Sequence, residues 1–210
     1  MFLFVLGFHE DILLRVLSRF SVSSGDVITV FTCKPFSSGV RRAWESFRAS
    51  CIRQGFPEPS LHIVNCGNFY SLFGDVRSVV EKLEGDFILV LGSGLRILSH
   101  ALELVLLYSR KRFDVWYEPE SENIEPMSIP REFYELLFRD LSELEKKVLD
   151  EVLASPGLRV HDIAAKLGKK DKTIANIVTR LKAIGLIDRR SRGVLKPTGL
   201  AVALFKRSSQ

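Results

Sequence analysis

A glycine-containing turn in this chain has the residue types of an anion-binding site. Gly92–Arg96 (Gly-Ser-Gly-Leu-Arg) follows the strongest strand pattern, Asp86–Leu91, and opens an apolar helix. Glycine allows close approach of backbone to a ligand, and the free amides at a helix start attract phosphate. Arg96 could add a bidentate contact to the same anion. The alternative is that Gly-Ser-Gly is only a tight turn.

Two further loops would meet this turn if the strands are parallel. Gly7–Glu10 follows the first predicted strand, and Thr32–Gly39 follows the second. Open parallel sheets bind ligands at the carboxyl ends of their strands, so the position favours a site over a simple turn. The predicted ligand-binding residues are Gly7, Phe8, His9, Glu10, Thr32, Lys34, Pro35, Gly92, Ser93, Gly94, Leu95 and Arg96.

Other common chemistries find little support. The GxGxxG turn of a nicotinamide dinucleotide site is missing after the first strand, and no GxxxxGK[ST] motif occurs. The four histidines lack metal-ligand spacing, so we predict no catalytic residue, cofactor or metal. Cys33, Cys51 and Cys66 are odd in number and without CxxC spacing, which predicts neither a disulfide framework nor zinc. A reducing, cytoplasmic compartment follows from that expectation.

A second segment of the chain, Val160–Arg180, has the pattern of a helix-turn-helix. The first short helix stops at Gly168, because glycine takes the left-handed cap without steric cost. Asp171 is expected to cap the next helix by accepting the free amides of its first turn. Two helices joined around a glycine form the motif whose second helix can enter a DNA major groove.

The second helix of this motif has one apolar and one polar face. Ile174, Ile177, Val178 and Leu181 share the face that should be buried. The polar face suits contacts to bases or phosphates, although an ordinary solvated face is the alternative. Beyond Gly185 two short strands flank a basic turn, which resembles the wing of a winged helix. The predicted DNA-binding residues are Lys169, Lys170, Lys172, Thr173, Asn176, Thr179, Arg180, Arg190 and Arg192.

Charge is distributed unevenly along the chain, whose net charge is +5. Residues 141–210 contain 15 Lys and Arg against 7 Asp and Glu, a net charge of +8. The first 140 residues contain 15 against 18, a net charge of −3. A basic excess confined to one region indicates a polyanionic partner, here double-stranded DNA.

The first 118 residues alternate between strand and helix patterns. Five apolar runs predict strands, at Phe2–Leu6, Asp26–Thr32, Ser60–Val64, Asp86–Leu91 and Phe113–Tyr117. Each segment between one run and the next predicts a helix. Such alternation implies an α/β fold with a mainly parallel sheet covered on both faces. Residues 124–129 could add an antiparallel edge strand, since Pro126 suits an edge.

The chain is predicted to divide into an α/β domain at 1–129, a connector helix at 130–141 and a mostly α winged helix-turn-helix domain at 142–210. Ser142 and Glu145 have the spacing of a capping box at the start of the last domain. No run of 18 apolar residues exists and the apolar N-terminus lacks a basic region, so neither a membrane span nor a signal peptide is predicted.

With both halves described, the chain resembles archaeal CRISPR-associated transcriptional regulators. These proteins join a CARF domain, a CRISPR-associated Rossmann fold, to a C-terminal winged helix. Gly7–Glu10 and Gly92–Arg96 carry the resemblance, and Ser93 departs from the Gly-Gly-x-Arg-like turn of the family. The resemblance implies a homodimer that takes part in antiviral defence and binds a cyclic oligoadenylate, often cyclic tetra-adenylate, across its two-fold axis.

The resemblance also leaves two functions open. In a ligand-responsive regulator, the cyclic oligoadenylate would favour one dimer arrangement and so change the spacing of the two recognition helices. In a ring nuclease, the bound oligonucleotide would be cleaved, with His9, Lys34, Ser93 and Arg96 as candidate groups. Nothing at fixed spacing marks catalysis, so the regulator is the first interpretation.

Overall fold

The computed structural model describes residues 1–121, 123–189 and 193–205. These residues divide into two compact units, one spanning Met1–Arg131 and the other beginning at Glu132. Leu136 and Leu141, from the segment interpreted as a connector, are buried in the hydrophobic core of the second unit.

The first unit alternates strands and helices, as the apolar runs predict. Observed and predicted ends differ by a few residues at most in the first 118 residues. The elements are β1 (Phe2–Val5), α1 (Asp11–Arg19), β2 (Ile28–Cys33), α2 (Ser38–Gln54), β3 (Ser60–Val64), α3 (Phe69–Val80), β4 (Phe87–Leu91), α4 (Arg96–Tyr108), β5 (Phe113–Tyr117) and β6 (Met127–Ile129).

The strands form one sheet in the order β3-β2-β1-β4-β5-β6. The first five strands pair in parallel, and β6 pairs antiparallel to β5, as expected for an edge segment following Pro126. The strand order reverses between β1 and β4. Crevices for ligands form at such a switch point, because the chain leaves the two strands toward opposite faces of the sheet.

Alternating side chains of the central strands are buried on both faces of the sheet. Phe2 and Phe4 of β1 pack in one cluster with α1 and α2, while Leu3 and Val5, the alternate residues of the strand, are buried as well. A strand buried on both faces requires a continuous apolar run, which is the pattern of Phe2–Leu6. The sheet is therefore a rigid base for the loops at its edge.

The expectation that the cysteines form no disulfide is wrong, because Cys33 and Cys66 are bonded. The parallel register pairs Cys33 with Val64, so Cys66 emerges beside it and the two Cα atoms lie 5.7 Å apart. This separation is within the usual range for a disulfide. The inference of a reducing compartment loses its basis. Cys51 is a free thiol in the core, where burial raises its pKa to about 11.

Arg131 fastens the end of the first unit to the sheet. Its guanidinium donates to Asp86 at 2.8 Å and to Asp114 at 3.0 Å, and its backbone amide donates to Asp114 at 2.8 Å. Hydrogen bonding by Arg131 holds the pKa of the Asp86 carboxyl below its ordinary value. The chain therefore leaves the sheet from a fixed point.

The second unit contains five helices and a two-stranded antiparallel sheet within its described residues. Its elements are α5 (Arg131–Leu137), which begins one residue before the unit boundary, α6 (Glu143–Ala154), α7 (Val160–Leu167), α8 (Asp171–Ala183), β7 (Ile187–Arg189), β8 (Leu195–Pro197) and α9 (Gly199–Phe205).

Local sequence explains the start of α6. The Ser142 hydroxyl accepts from the Glu145 amide, and the Glu145 carboxylate accepts from the Ser142 amide at 2.9 Å, so the predicted capping box is present. The Ser142 amide and hydroxyl both donate to the Glu145 carboxylate, and these two hydrogen bonds lower the pKa of that carboxyl. The reciprocal bonds satisfy amides that the first helical turn leaves unpaired.

No helix within the described part of the chain combines the length and apolarity that crossing a membrane requires.

Candidate functional site

A pocket of about 400 Å³ lies where the loops after β1 and β4 meet. Gly7, Phe8 and His9 line it from the first loop, and Gly92–Gly94 line it from the second. The pocket thus occupies the switch point of the sheet. The structure brings together the two segments that the sequence analysis singled out.

The glycines of this pocket are required by backbone geometry. Gly92 has a φ of +135°, and a Cβ there would lie 1.9 Å from the carbonyl oxygen of Glu118. Gly94 has a φ of +73°, and its Cβ would lie 2.3 Å from Val5 Cγ1. A Cβ on Gly7 would come within 3.0 Å of the Gly94 Cα. The turn is therefore packed directly against β1 and the end of β5.

Ser93 fastens the same turn to the sheet. Its hydroxyl donates to the backbone carbonyl of Val5 over 2.5 Å, at the end of β1. This bond joins the two strands on either side of the switch point. The hydroxyl proton is thus engaged in holding the loop.

The start of α4 lies beside a second pocket. The cap residue Leu95 makes no side-chain hydrogen bond, and the first helical bonds run from the amides of Leu98 and Ser99 back to Leu95. The preceding amides are left to bind a ligand, and the helix dipole favours a negative charge there. Arg96 lines this pocket, whose volume is about 470 Å³.

The two pockets are neighbours that share the Gly92–Gly94 turn and Glu120. Their lining includes side chains that the sequence analysis did not predict. Glu120 and Tyr117 come from the end of β5 and the segment after it, which the sequence indicated only as a break in the pattern. The additional lining residues are Asp11, Ile12, Leu91, Ser99, His100, Glu103, Tyr117, Pro119, Glu120, Ser121 and Ile124.

A buried carboxylate stands behind the first pocket. Glu118 follows β5 and is fully buried, and its oxygens lie 3.6 Å from Arg15 Nε and 3.4 Å from Arg19 Nε. Trp116 Nε1 also donates to it at 3.0 Å. Arg15 in turn lies 3.7 Å from Asp11, which lines the pocket. This network ties α1 to the end of β5, so it holds two walls of the pocket together.

Several predicted ligand residues stand apart from these two pockets. The Thr32 hydroxyl is buried and donates to the Leu6 carbonyl at 3.2 Å, which joins β2 to β1. Glu10 accepts from the Ser46 hydroxyl of α2 at 2.5 Å. The linings of the two pockets, as far as the structure describes them, include none of Glu10, Thr32, Lys34, Pro35 and Leu95.

In the second unit, α7 and α8 are joined by a tight turn. Gly168 ends α7 in the left-handed conformation, with a φ of +60°, as its sequence position predicts. On α8 the predicted apolar face is buried, and the polar face is exposed. Exposed side chains on or just before this helix are Lys169, Lys170, Lys172, Thr173, Asn176, Thr179 and Arg180.

Contacts with neighbouring residues constrain two of these polar side chains. Arg180 Nε lies 3.5 Å from a carboxylate oxygen of Glu145, which joins α8 to the capping box of α6. The Thr179 hydroxyl donates to the Ala175 carbonyl of its own helix at 2.9 Å. A groove of about 560 Å³ along this face includes Thr173 and Asn176. These contacts leave Asn176 and the lysines as the freer polar groups of the face.

The predicted capping role of Asp171 is wrong. The cap of α8 is Lys170, which makes no side-chain cap bond, and Asp171 is the first helical residue. Its carboxylate instead lies 3.2 Å from His161 Nδ1 of α7. One residue of difference turns the carboxylate away from the free amides. It still lies near the positive end of the helix, where an acidic side chain is favourable.

After α8, β7 and β8 pair antiparallel, with Arg189 opposite Leu195. This is the hairpin that the sequence interprets as a wing. Arg190 and Arg192, the predicted wing contacts, lie outside the described residues. Among the residues that are described, no three His, Cys, Asp or Glu side chains gather closely enough to hold a metal ion.

Residues 1–130 match the family model described as the Csa3 CRISPR-associated Rossmann-like domain. The chain is also 28% identical over 187 residues to a protein of Saccharolobus solfataricus named "CRISPR locus-related putative DNA-binding protein Csa3". That alignment covers 89% of this chain and 79% of the relative.

Two solved structures share weaker likeness. The PcaV transcriptional regulator from Streptomyces coelicolor is 26% identical over 36% of this chain, with a TM-score of 0.30. Can2 from Sulfobacillus thermosulfidooxidans, solved with cyclic tetra-adenylate, is 12% identical over 97% of this chain, with a TM-score of 0.44. The chain spans 58% and 62% of their respective lengths.

Proposed function

Because the chain belongs to the Csa3 family of CRISPR-associated proteins through its Rossmann-like domain, we propose that it is a DNA-binding transcriptional regulator that senses a cyclic oligoadenylate. The observation that carries the proposal is the exposed polar face of α8. This face follows a tight turn from α7, stands opposite a buried apolar face, and lies in the basic part of the chain.

The second unit is proposed to bind double-stranded DNA as a winged helix-turn-helix. Asn176 is suited to base edges, and Lys169, Lys170 and Lys172 are suited to backbone phosphates. The antiparallel strands β7 and β8 would serve as the wing, and Arg190 and Arg192, which stand between them in the sequence, are its proposed phosphate contacts. The Csa3 relative described as DNA-binding aligns over most of the chain, which supports this assignment.

The first unit is proposed to bind the regulatory nucleotide in the two neighbouring pockets. The amides at the start of α4 and the Arg96 guanidinium suit a phosphate. The carboxylates of Asp11 and Glu120 would repel a second phosphate. They readily accept hydrogen bonds from sugar hydroxyls and base amino groups. This mixture of charges fits a nucleotide better than a bare polyanion. Cyclic tetra-adenylate is the specific ligand that the family resemblance implies.

The proposal includes a homodimer. Five large apolar side chains are exposed on α3 and α4: Phe69, Tyr70, Ile97, Leu104 and Tyr108. Ile97 and Leu104 are near neighbours in sequence of Arg96, Ser99 and His100, which line the second pocket on the same helix. A second copy packed on this face would complete the site with its own set of these residues. A cyclic ligand suits such a symmetric arrangement.

The ligand is proposed to regulate rather than to be cleaved. Ser93, a candidate group for cleavage, uses its hydroxyl proton to hold the loop against Val5. A bound ligand can change DNA affinity only by its differential affinity for two arrangements of the protein. Regulation therefore requires no chemistry at the pocket.

Calorimetric titration of the full chain with cyclic tetra-adenylate tests the sensing half. We expect one ligand for every two chains, weaker heat from cyclic hexa-adenylate or linear tetra-adenylate, and intact ligand on chromatography afterwards. Arg96→Gln should weaken binding at least roughly tenfold, since the variant removes a contact from each copy and a single hydrogen bond to a charged group contributes about 1.5 kcal/mol. Arg42→Gln removes an exposed arginine of α2 and should leave the affinity unchanged.

Absence of heat from all three nucleotides would discard the ligand assignment and leave the DNA-binding proposal standing. Loss of cyclic tetra-adenylate during incubation would instead favour the ring nuclease. A stoichiometry of one ligand per chain would argue against a site shared between two copies.

A further inference from the structure

The Cys33–Cys66 disulfide joins the ends of two neighbouring strands at the ligand-binding edge of the sheet. Cys33 is the last residue of β2 and is 7% exposed, whereas Cys66 is half-buried in the loop after β3. The Lys34 amide continues the pairing by donating to the Val64 carbonyl at 2.9 Å. The disulfide therefore anchors the start of the segment that leads from β2 to α2.

That segment supports one wall of the pocket at the switch point. A Cβ on Gly39, in the first turn of α2, would lie 2.9 Å from Phe8 Cδ1. The ring of Phe8 thus rests directly on the start of α2, while its other surface is open, since Phe8 is 67% exposed and lines the pocket. The position of Phe8 depends on where the β2–α2 loop holds Gly39.

We propose that Cys33 and Cys66 form a reversible thiol–disulfide site that regulates the nucleotide affinity of this pocket. Oxidation anchors the β2–α2 loop, keeps α2 under Phe8 and preorganises the pocket. Reduction releases the loop and lowers the affinity, because the ligand must then order the wall that it contacts. The choice of ligand rests on the proposed function, whereas the effect on the loop does not.

The exchange reaction requires a thiol reductant of the dithiol class. One thiolate of the dithiol attacks the sulfur of Cys66, the less buried of the two residues, and the sulfur of Cys33 leaves as a thiolate that takes up a proton. The second thiol of the reductant then displaces Cys66 and closes its own disulfide. Two electrons and two protons pass to the protein, and the reductant becomes a cyclic disulfide.

Cys51 is not part of this chemistry. It is fully buried in the core of the first unit and its thiol is held in the neutral form, which neither attacks a disulfide nor responds readily to an oxidant. The chain therefore contains one redox-responsive pair and one inert thiol. Thiol counting under denaturing conditions distinguishes the two states, with one reactive thiol after oxidation and three after reduction.

The test uses the full chain, oxidised or reduced with dithiothreitol, titrated with cyclic tetra-adenylate. Reduction is expected to weaken binding roughly fivefold, at the low end of usual coupling between sites. Amide hydrogen exchange, measured without ligand, should quicken at residues 7–9 and 34–39 and stay constant in α3. Cys66→Ser should behave like the reduced protein under both conditions, and Cys51→Ala should respond like the original chain.

Equal affinity and equal exchange in the two redox states would overturn the proposal, as would three reactive thiols after treatment with an oxidised dithiol. If neither state binds cyclic tetra-adenylate, the sensing function fails independently. Hydrogen exchange then decides the redox proposal alone: quickened exchange at residues 7–9 supports it, and unchanged exchange there rejects it.

Discussion

Gly92→Ala is expected to weaken cyclic tetra-adenylate binding at least about thirtyfold, the factor that corresponds to about 2 kcal/mol. A Cβ at this position would lie 1.9 Å from the Glu118 carbonyl oxygen, on a backbone whose φ of +135° already excludes most side chains. The clash is with backbone, so the turn must move away from β5. Moving it displaces the amides at the start of α4 and the pocket wall together. Calorimetry measures the effect.

Gly25→Ala provides the matched control. Gly25 lies in the loop before β2, at the opposite end of the strand from the pocket, and a Cβ there would meet only the Ser23 hydroxyl oxygen, at 3.9 Å. This variant should bind normally and gain about 0.4–1 kcal/mol of stability, because alanine reduces the conformational entropy of the unfolded chain. If Gly92→Ala does not fold, Gly7→Ala gives a milder form of the same displacement. Normal affinity in folded Gly92→Ala would contradict the proposed pocket.

For each copy of the chain that contacts the duplex, the double variant Lys170→Gln/Lys172→Gln is expected to lower DNA affinity about 50-fold at 0.1 M salt and to reduce the log–log salt slope by about 1.8. Both side chains are exposed at the start of α8. Each lysine that contacts a phosphate releases counterions from the DNA. Without the two lysines these counterions stay bound, so binding is weaker and depends less on salt. Fluorescence anisotropy with a labelled duplex over a series of salt concentrations measures both quantities.

Lys146→Gln/Lys147→Gln changes the net charge by the same amount on α6, where Lys146 already pairs with Glu143 at 2.9 Å. This control should retain the slope and most of the affinity. Equal losses in the two double variants would mean that net charge alone attracts the duplex. The start of α8 would then have no special role in DNA binding.

The first unit could be predicted closely from the sequence. Strand patterns such as Phe87–Leu91 are apolar throughout because the strand is buried on both faces, and this burial is what a parallel sheet imposes. The Rossmann-like fold and the resemblance to CRISPR-associated regulators are confirmed by the family match over residues 1–130. The division of the chain at 129 and 141 stays a prediction, although the contacts separate the units at a nearby residue, Arg131.

The candidate pocket was only partly predictable. Gly92 and Gly94 were identifiable because a glycine-rich turn after a buried strand has few other uses. Glu120 carried no such signal, since acidic residues in a loop usually indicate solvent exposure. Its position after β5, at the same edge as the other loops, was the available indication. Thr32 lies at the same edge, but its hydroxyl donates to the Leu6 carbonyl inside the sheet. The sequence does not reveal which hydrogen-bond partner a side chain takes.

The disulfide was not predictable from cysteine count or spacing. Cys33 and Cys66 are 33 residues apart and come together only because β2 and β3 are parallel neighbours in a particular register. Register depends on the whole sheet, and one residue of shift would turn the side chains away. The same limit explains Asp171, whose role changes when the helix begins one residue earlier than expected.

DNA affinity measured with and without saturating cyclic tetra-adenylate shows whether the nucleotide regulates DNA binding. A duplex selected from random sequences for binding at 0.1 M salt would be titrated with the full chain at fixed salt. We expect DNA affinity to change at least about fivefold, because a regulatory ligand must couple the two units by about 1 kcal/mol or more. An unchanged DNA affinity, with the nucleotide bound by calorimetry, would contradict this expectation.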